Sequence, residues 1–136
     1  MRDAATIGSV TARKIRVLVV DHNPLVREGL SLLIQLQPDM EIAHVATSAE
    51  EAVNNFTQNK PDVTLMDLDL PLGAGVKAIQ QILGIEPTAC VVGLLTYEWD
   101  QSRIQALRLG ARSCLTKDRL NEDLISILRG CSRLDV

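Results

Sequence analysis

The sequence predicts an α/β domain with a doubly wound parallel sheet, and three observations support this prediction. The chain has 136 residues, which is the length of one domain. Apolar residues make up 46% of it and charged residues 23%, as in ordinary globular domains. From Ile15 onward, short runs rich in β-branched residues alternate with longer segments of helical periodicity. This alternation indicates a parallel sheet with helices on both of its faces.

Five short apolar runs are predicted to form the strands. They occupy residues 15–20, 41–46, 63–66, 89–95 and 112–115. The first two helices between them have recognisable starts. Asn23 followed by Pro24 is typical of an N-cap with proline at the first helical position. Ser48, with Glu51 three residues later, is typical of a capping box.

The last three helices are predicted from periodicity and from capping residues. Val76, Ile79 and Ile82 recur at helical spacing in the third helix. The fourth helix follows Asp100, and Asn121 is predicted to cap the fifth. Residues 1–14 show no hydrophobic period, so they are predicted to be a flexible N-terminal extension.

Composition also argues against several classes of function. The net charge is −3 and the chain has one Phe, one Trp and one Tyr, which argues against direct nucleic-acid binding. The sequence contains neither an apolar run of membrane-spanning length nor a secretory signal, so we expect a cytoplasmic protein. Cys90, Cys114 and Cys131 are odd in number and widely spaced. We therefore expect them to form neither a disulfide framework nor a zinc site.

Polar residues follow four of the predicted strands at the points where these strands end. They are Asp21 and His22, Asp67, Thr96, and Lys117. Singly, an aspartate after a strand is usually a cap or turn residue, and a loop lysine is usually a solvated charge. Together they would meet at one edge of a doubly wound sheet, where such folds bind ligands. Carboxylates suit Mg2+, while a hydroxyl and an ammonium suit phosphoryl oxygens. The combination therefore predicts a metal and phosphate site.

Three segments of the chain resemble the receiver domain of two-component response regulators of the NarL or LuxR type. They are VVDHNPLVREGL at 19–30, PDVTLMDLDLP at 61–71 and ALRLGARSCLTKD at 106–118. The resemblance extends from about Ile15 to Gly130. It implies a flavodoxin-like (βα)5 fold with strand order 2-1-3-4-5 over residues 15–131. Residues 132–136 would then be a C-terminal tail or the start of a linker.

The resemblance also implies roles for individual residues. Asp67 would accept a phosphoryl group from a histidine kinase. Asp21, Asp67 and the backbone carbonyl of Asp69 would hold Mg2+. Thr96 would be the switch hydroxyl and Lys117 its cationic partner at the phosphoryl group. The output would be a change of conformation or of dimerisation that controls a process such as transcription, rather than enzymatic turnover.

Two positions depart from the pattern of these receivers. His22 stands where they usually have a second acidic residue, and an imidazole is a poorer Mg2+ ligand than a carboxylate, so we expect weaker Mg2+ binding. Two alternatives stay open: His22 could coordinate a softer metal, or it could be a loop histidine that caps the first helix or contacts a nearby carboxylate. Cys114 stands where a Tyr or Phe is common, so signalling through the fifth strand would have to differ. Gly75 matches the glycine of the loop that follows the phosphorylation site.

The resemblance extends to partners, and two alternative functions stay open. A sensor histidine kinase or phosphotransfer protein, a homodimer, and DNA contacted only through a C-terminal domain beyond this chain are expected. The candidate surfaces are the region of Trp99, Arg103, Arg108 and Leu109, and the first helix at Leu25, Leu32 and Leu36. One alternative is a phosphorylation-independent pseudo-receiver. The other, based on Asp67-Leu68-Asp69, is a phosphatase of the haloacid-dehalogenase type.

Overall fold

The computed structural model of the chain describes residues 13–133. Within this range, strands and α-helices alternate strictly. The strands are β1 (Ile15–Val20), β2 (Met40–Ala46), β3 (Val63–Asp67), β4 (Cys90–Leu95) and β5 (Ser113–Thr116). The helices are α1 (Pro24–Gln35), α2 (Ala49–Asn59), α3 (Ala74–Ile85), α4 (Gln101–Leu109) and α5 (Leu120–Arg133). All strand pairs are parallel and the order is β2-β1-β3-β4-β5, which confirms the predicted fold.

The first two helices begin where the capping signals place them. The side chain of Asn23 accepts a hydrogen bond from Leu25 N at 2.9 Å. Ser48 Oγ accepts one from Glu51 N at 3.2 Å, as a capping box requires. The carboxylate of Glu51 accepts its backbone hydrogen bond from Thr47 N at 3.0 Å, one residue before the cap. Both arms of the motif therefore satisfy backbone donors at the start of α2.

One of the two later caps is confirmed and the other is wrong. Asp100 caps α4 by accepting a hydrogen bond from Ser102 N at 2.9 Å. Asn121, in contrast, is the second residue of α5, which begins at Leu120 directly after a 3-10 turn over Lys117–Arg119. The turn continues into the helix without a break, so no capping residue separates the two. The sequence pattern could not reveal this continuity.

The sheet carries a hydrophobic core on each face, because alternate residues of a strand point to opposite sides. Val17 and Val19 of β1 face α1 and α5, whereas Leu18 and Val20 face α2, α3 and α4. All four are fully buried. Burial on both faces is typical of parallel sheets and accounts for the continuous apolar runs in the sequence.

The cysteine prediction is wrong in one respect. Cys90, at the start of β4, and Cys131, in α5, form a disulfide across 41 residues of sequence. Cys114 in β5 is the free cysteine of the described residues. The two bonded residues lie in the same hydrophobic core, where the last turns of α5 pack on the sheet. Their proximity is a tertiary contact, so spacing along the chain gave no sign of it.

The ends of the described region bear on the predicted boundaries. The predicted extension at 1–14 falls outside the described residues except for Arg13 and Lys14. Helix α5 continues to Arg133, two residues into the predicted tail at 132–136, and the remainder of that tail lies outside the described residues. No helix between residues 13 and 133 has the combination of length and apolar character needed to span a membrane.

Candidate functional site: an acidic cluster at the carboxyl edge of the sheet

The topology brings the ends of β1 and β3 together. These strands are neighbours in the sheet, and Val20 of β1 pairs with Met66 of β3, one residue before each strand ends. In the sheet, β2 lies on one side of β1 and β3 lies on the other side. The direction in which the chain adds strands therefore reverses at β1. Asp21 and Asp67 therefore lie side by side at the switch point where doubly wound folds bind ligands.

Lys117 joins the carboxylates into one cluster. Its Nζ lies 2.9 Å from Asp21 Oδ2, 3.0 Å from Asp67 Oδ1 and 3.0 Å from Asp69 Oδ2. Asp21 and Asp67 are fully buried, and the lysine side chain is only 13% exposed. The structure thus brings together side chains that are separated by almost the whole described chain.

His22 contacts the same aspartate from the solvent side. Its Nδ1 lies 2.5 Å from Asp67 Oδ2, and its backbone N donates to the same oxygen at 3.1 Å. The imidazole is about half exposed, in contrast to the buried carboxylate. The two oxygens of Asp67 consequently face different partners: Oδ1 faces Lys117 and Oδ2 faces His22.

The environment keeps the Asp67 carboxylate ionised. Burial by itself would raise the pKa of Asp67, but hydrogen bonds from His22, Lys117 and the backbone amide of Asp69 outweigh burial and lower it. Burial would likewise lower the pKa of Lys117, but its close contacts with the carboxylates of Asp21, Asp67 and Asp69 outweigh that effect and raise its pKa well above the usual range. At neutral pH the site therefore presents a carboxylate and an ammonium, both charged.

Thr96 lies at the same edge, where it hydrogen-bonds to Asp69. Its hydroxyl donates to Asp69 Oδ2 at 2.7 Å, and its backbone N donates more weakly to Asp69 Oδ1 at 3.4 Å. Asp69 also contacts Lys117, so its carboxylate bridges the two residues that the resemblance assigns to phosphoryl binding. The predicted switch hydroxyl is thus held by a neighbouring carboxylate and is not at the phosphoacceptor.

The side chain of Asp69 is the feature that sequence reasoning missed. The resemblance implies a role only for its backbone carbonyl. The Asp-x-Asp spacing supports only the alternative hypothesis of a phosphatase. Only the tertiary structure reveals that the carboxylate of Asp69 reaches across to Thr96 after β4 and Lys117 after β5.

Gly75 and Cys114 are the two remaining positions singled out in the sequence, and they lie close to the site. Gly75 is in the first turn of α3 rather than in the preceding loop, and a Cβ there would overlap the backbone carbonyl oxygen of Asp67. Cys114 Sγ fills the space beside Gly93, lying 3.1 Å from where a Cβ of that glycine would be. Burial raises the pKa of Cys114, although nearby Arg103 partly opposes this. Cys114 is therefore a neutral packing residue in β5.

The cluster has the charge and ligand types of a cation site. One ligand atom each from Asp21, His22 and Asp67 can be chosen so that all three lie within 4.8 Å of one another. Asp21 Oδ2 is buried and accepts no well-directed hydrogen bond, although the Lys117 ammonium lies 2.9 Å away. Three carboxylates face one ammonium, which leaves an excess of two formal negative charges. A divalent cation would balance them, and carboxylate oxygens fit Mg2+.

An open cleft gives access to this cluster. It has a volume of about 630 Å³ and is lined by His22, Asp69, Thr96, Tyr97 and Lys117, among others. Tyr97 stacks on Trp99 with ring centroids 6.3 Å apart, and both rings are largely exposed beside the cleft. Asp67 itself is fully buried, but its neighbours His22, Asp69 and Lys117 line the cleft.

Comparison with known proteins places this geometry in a family. Residues 17–129 match the response regulator receiver domain. The chain is 37% identical over 120 residues to the uncharacterized transcriptional regulatory protein YxjL of Bacillus subtilis, covering 88% of this chain and 55% of that protein. It is 40% identical over 109 residues to a protein-glutamate methylesterase/protein-glutamine glutaminase of Thermotoga maritima, covering 79% of this chain and 32% of that protein. Relatives of this domain thus include enzymes as well as transcriptional regulators.

A solved structure supports the same assignment. The signal receiver domain of the putative response regulator NarL from Mycobacterium tuberculosis superposes with a TM-score of 0.82 at 26% identity, covering 89% of this chain and 98% of that one. The chain spans about half the length of the transcriptional relative and a third of the methylesterase. The matched segment covers most of the chain, so the chain belongs to the response regulator receiver domain family, and its relatives include receivers of the NarL/LuxR type.

Proposed function

We propose that Asp67 accepts a phosphoryl group from a phosphohistidine of a sensor kinase or phosphotransfer protein. The observation that carries this proposal is the Asp67 carboxylate itself: it is buried, yet its pKa is lowered and it lies between Lys117 and His22 at the cleft. In the transfer, a carboxylate oxygen of Asp67 attacks phosphorus as the phosphorus–nitrogen bond breaks, and the imidazole leaves with the bonding electron pair. The products are an acyl phosphate and a free histidine.

Attack by one anion on another requires compensation of charge. Asp21 and Asp67 would hold Mg2+ through their carboxylates, with the backbone carbonyl of Asp69 as a third ligand. When bound, the ion screens the charge that builds up on the phosphoryl oxygens. Lys117 contributes in the same way from the other side, because its ammonium already contacts the oxygen of Asp67 that His22 does not occupy.

Phosphorylation would change the partners of Thr96. The new phosphoryl oxygens compete with Asp69 for the Thr96 hydroxyl and the Lys117 ammonium, both of which donate strongly to anions. Loss of the 2.7 Å contact between Thr96 and Asp69 would release the start of the loop between β4 and α4. We propose this exchange as the conformational switch of the domain.

Uptake of the phosphoryl group tests the proposal directly. The protein is incubated with an acyl phosphate donor and Mg2+, and its intact mass is compared with that of Asp67→Asn. We expect the wild type to gain one phosphoryl group and Asp67→Asn to gain none. Asp118→Asn is the matched control, because Asp118 is an exposed aspartate next to Lys117. Equal uptake by Asp67→Asn, or no uptake by the wild type with any donor, would contradict the proposal.

The two alternative functions find less support than phosphoacceptance. The family assignment favours neither a phosphorylation-independent module nor a phosphatase. The phosphatase hypothesis needs the Asp69 carboxylate as a free acid beside Asp67, whereas Asp69 is already engaged by Thr96 and Lys117.

We also propose that the domain acts in the cytoplasm and that transcription is the output of the whole protein.

We further propose that the domain forms a homodimer through α4 and the loop that precedes it. Trp99 is 83% exposed and Ile104 49% exposed, so this face offers solvent-exposed apolar area. Leu109, in contrast, packs partly against the core and contributes less than expected. Light scattering should give a monomer mass that doubles with phosphodonor, and Trp99→Ser should reduce the doubling. A mass that stays monomeric in both states would reject the dimer.

A further inference from the structure

His22 places an imidazole nitrogen beside the phosphoacceptor Asp67, and this nitrogen affects which metal ion the site prefers. We propose that this site binds a first-row divalent transition-metal ion in preference to Mg2+, with His22 as the nitrogen ligand beside Asp21 and Asp67. This inference rests on the proposed function, because it concerns the metal of the same site. It depends on the identity and position of His22, which the proposed transfer chemistry does not use.

The first support is the placement of the imidazole. His22 Nδ1 lies 2.5 Å from Asp67 Oδ2 and 3.9 Å from Asp21 Oδ1, so it faces both carboxylates. Two ligand atoms that share an ion at bond lengths of about 2.0–2.2 Å are about 3 Å apart. A modest rotation of the half-exposed imidazole is enough to move Nδ1 from its hydrogen bond with Asp67 to that separation.

The second support is the charge balance of the site. Three carboxylates face the single ammonium of Lys117. Asp21 Oδ2 is buried without a well-directed hydrogen bond. Lys117 approaches Asp67 through Oδ1, whereas His22 approaches it through Oδ2. The ammonium therefore occupies the inner side of the cluster, and the side facing solvent is the one where Nδ1 lies.

The types of ligand atom at this site determine which metal ion it prefers. Mg2+ binds hard oxygen ligands and gains little from a neutral nitrogen, so exchanging a carboxylate for an imidazole weakens its binding. Co2+, Ni2+ and Zn2+ accept imidazole readily and bind more tightly than Mn2+ at most nitrogen and oxygen sites. Every carboxylate site favours Co2+ over Mg2+ to some degree. The quantity that reports the role of His22 is therefore the change in the ratio of the two affinities when His22 is replaced.

The test measures binding of Co2+ and Mg2+ to the untagged chain at fixed pH by calorimetry, with the visible absorption of Co2+ as a second readout. The variants are His22→Asp, which restores a carboxylate, and His22→Asn, which removes the imidazole without adding charge. His44→Gln is the matched control, because His44 is the second of two histidines in the chain and contacts Glu51 away from the cluster. Circular dichroism verifies that each variant is folded.

We expect His22→Asp to lower the ratio of Co2+ affinity to Mg2+ affinity by about 10-fold to 100-fold, the usual effect of altering a ligand environment. His22→Asn should weaken Co2+ binding and alter its absorption while leaving Mg2+ binding nearly unchanged. His44→Gln should match the wild type. An unchanged ratio in His22→Asp, or an unchanged Co2+ spectrum in His22→Asn, would overturn the inference.

The outcome is separable from that of the proposed function, because metal binding is measured without phosphodonor. If phosphoryl uptake at Asp67 occurs but the affinity ratio does not change, the metal preference is wrong and the phosphoacceptor stands. If the ratio changes as expected but no donor phosphorylates Asp67, the metal site stands and the proposed function is wrong.

Discussion

Replacing Lys117 with methionine is expected to lower the free energy of unfolding by about 3 kcal/mol at neutral pH, as is typical when one partner of a buried charge cluster is removed. The ammonium is the cation nearest to the buried carboxylates of Asp21 and Asp67. Without it, these buried carboxylates repel each other without a compensating ammonium. Chemical denaturation of the variant and the wild type measures the loss. Lys77→Met, at an exposed lysine of α3, should stay within about 0.5 kcal/mol of the wild type.

The pH dependence of this effect has a definite sign. In the wild type the folded-state pKa of Asp67 lies below its unfolded value. Its ionisation therefore stabilises the fold above the unfolded pKa, and this contribution is lost as the pH falls through the folded pKa. Lys117→Met removes one of the interactions that lower the pKa of Asp67. Burial then has less opposition, so the folded-state pKa of Asp67 is higher in the variant than in the wild type. The difference in stability should be largest near pH 7 and shrink toward pH 4.

A divalent cation should partly replace the missing ammonium. Because a bound ion stabilises the folded state according to its affinity and concentration, Mg2+ or Co2+ should raise the stability of Lys117→Met more than that of the wild type. If Lys117→Met is as stable as the wild type at pH 7 without metal, the ammonium does not offset carboxylate repulsion, and the electrostatic description of this site is wrong.

Gly75→Ala is expected to destabilise the protein by about 2–3 kcal/mol, the usual cost of forcing extra volume into a packed position. A Cβ at Gly75 would overlap the Asp67 backbone oxygen and would come within 3.3 Å of Leu68 Cα. Because both contacts are with backbone, no side chain can rotate to make room. Either α3 must move outward or the end of β3 must shift, and the latter displaces Asp67.

Gly84→Ala is the matched control in the same helix. A Cβ at Gly84 meets no atom within 4 Å, so alanine should leave stability unchanged or raise it by up to about 1 kcal/mol through its better helix propensity. Thermal unfolding compares the two variants, and phosphoryl uptake shows whether Gly75→Ala also impairs Asp67. Equal stability of the two variants would mean that α3 adapts to the extra methyl group.

The fold was predictable because its determinants are local. Apolar runs such as 17–20 are continuous in the sequence because their residues are buried on both faces of the sheet. Asn23 and Ser48 mark helix starts through hydrogen bonds to residues two or three positions away. The prediction of an Asn121 cap was wrong because the turn before α5 continues directly into the helix.

For the candidate site, the sequence was enough to predict which residues lie close together. Asp21 and Asp67 end neighbouring parallel strands, so topology alone brings them together. His22 was visible as an unusual residue type that could contact a nearby carboxylate, and the structure identifies that carboxylate as Asp67.

The sequence by itself determined the alternation of strands and helices, the acidic residues at the strand ends and the resemblance to receivers, because these are properties of neighbouring residues and of spacing. The tertiary structure alone decided that Asp69 holds Thr96 and Lys117, that Cys90 bonds to Cys131, and that Gly75 packs against the Asp67 carbonyl. Each of these depends on the distance between side chains carried by different elements. Such distances are set by how helices pack on the sheet, which no local pattern encodes.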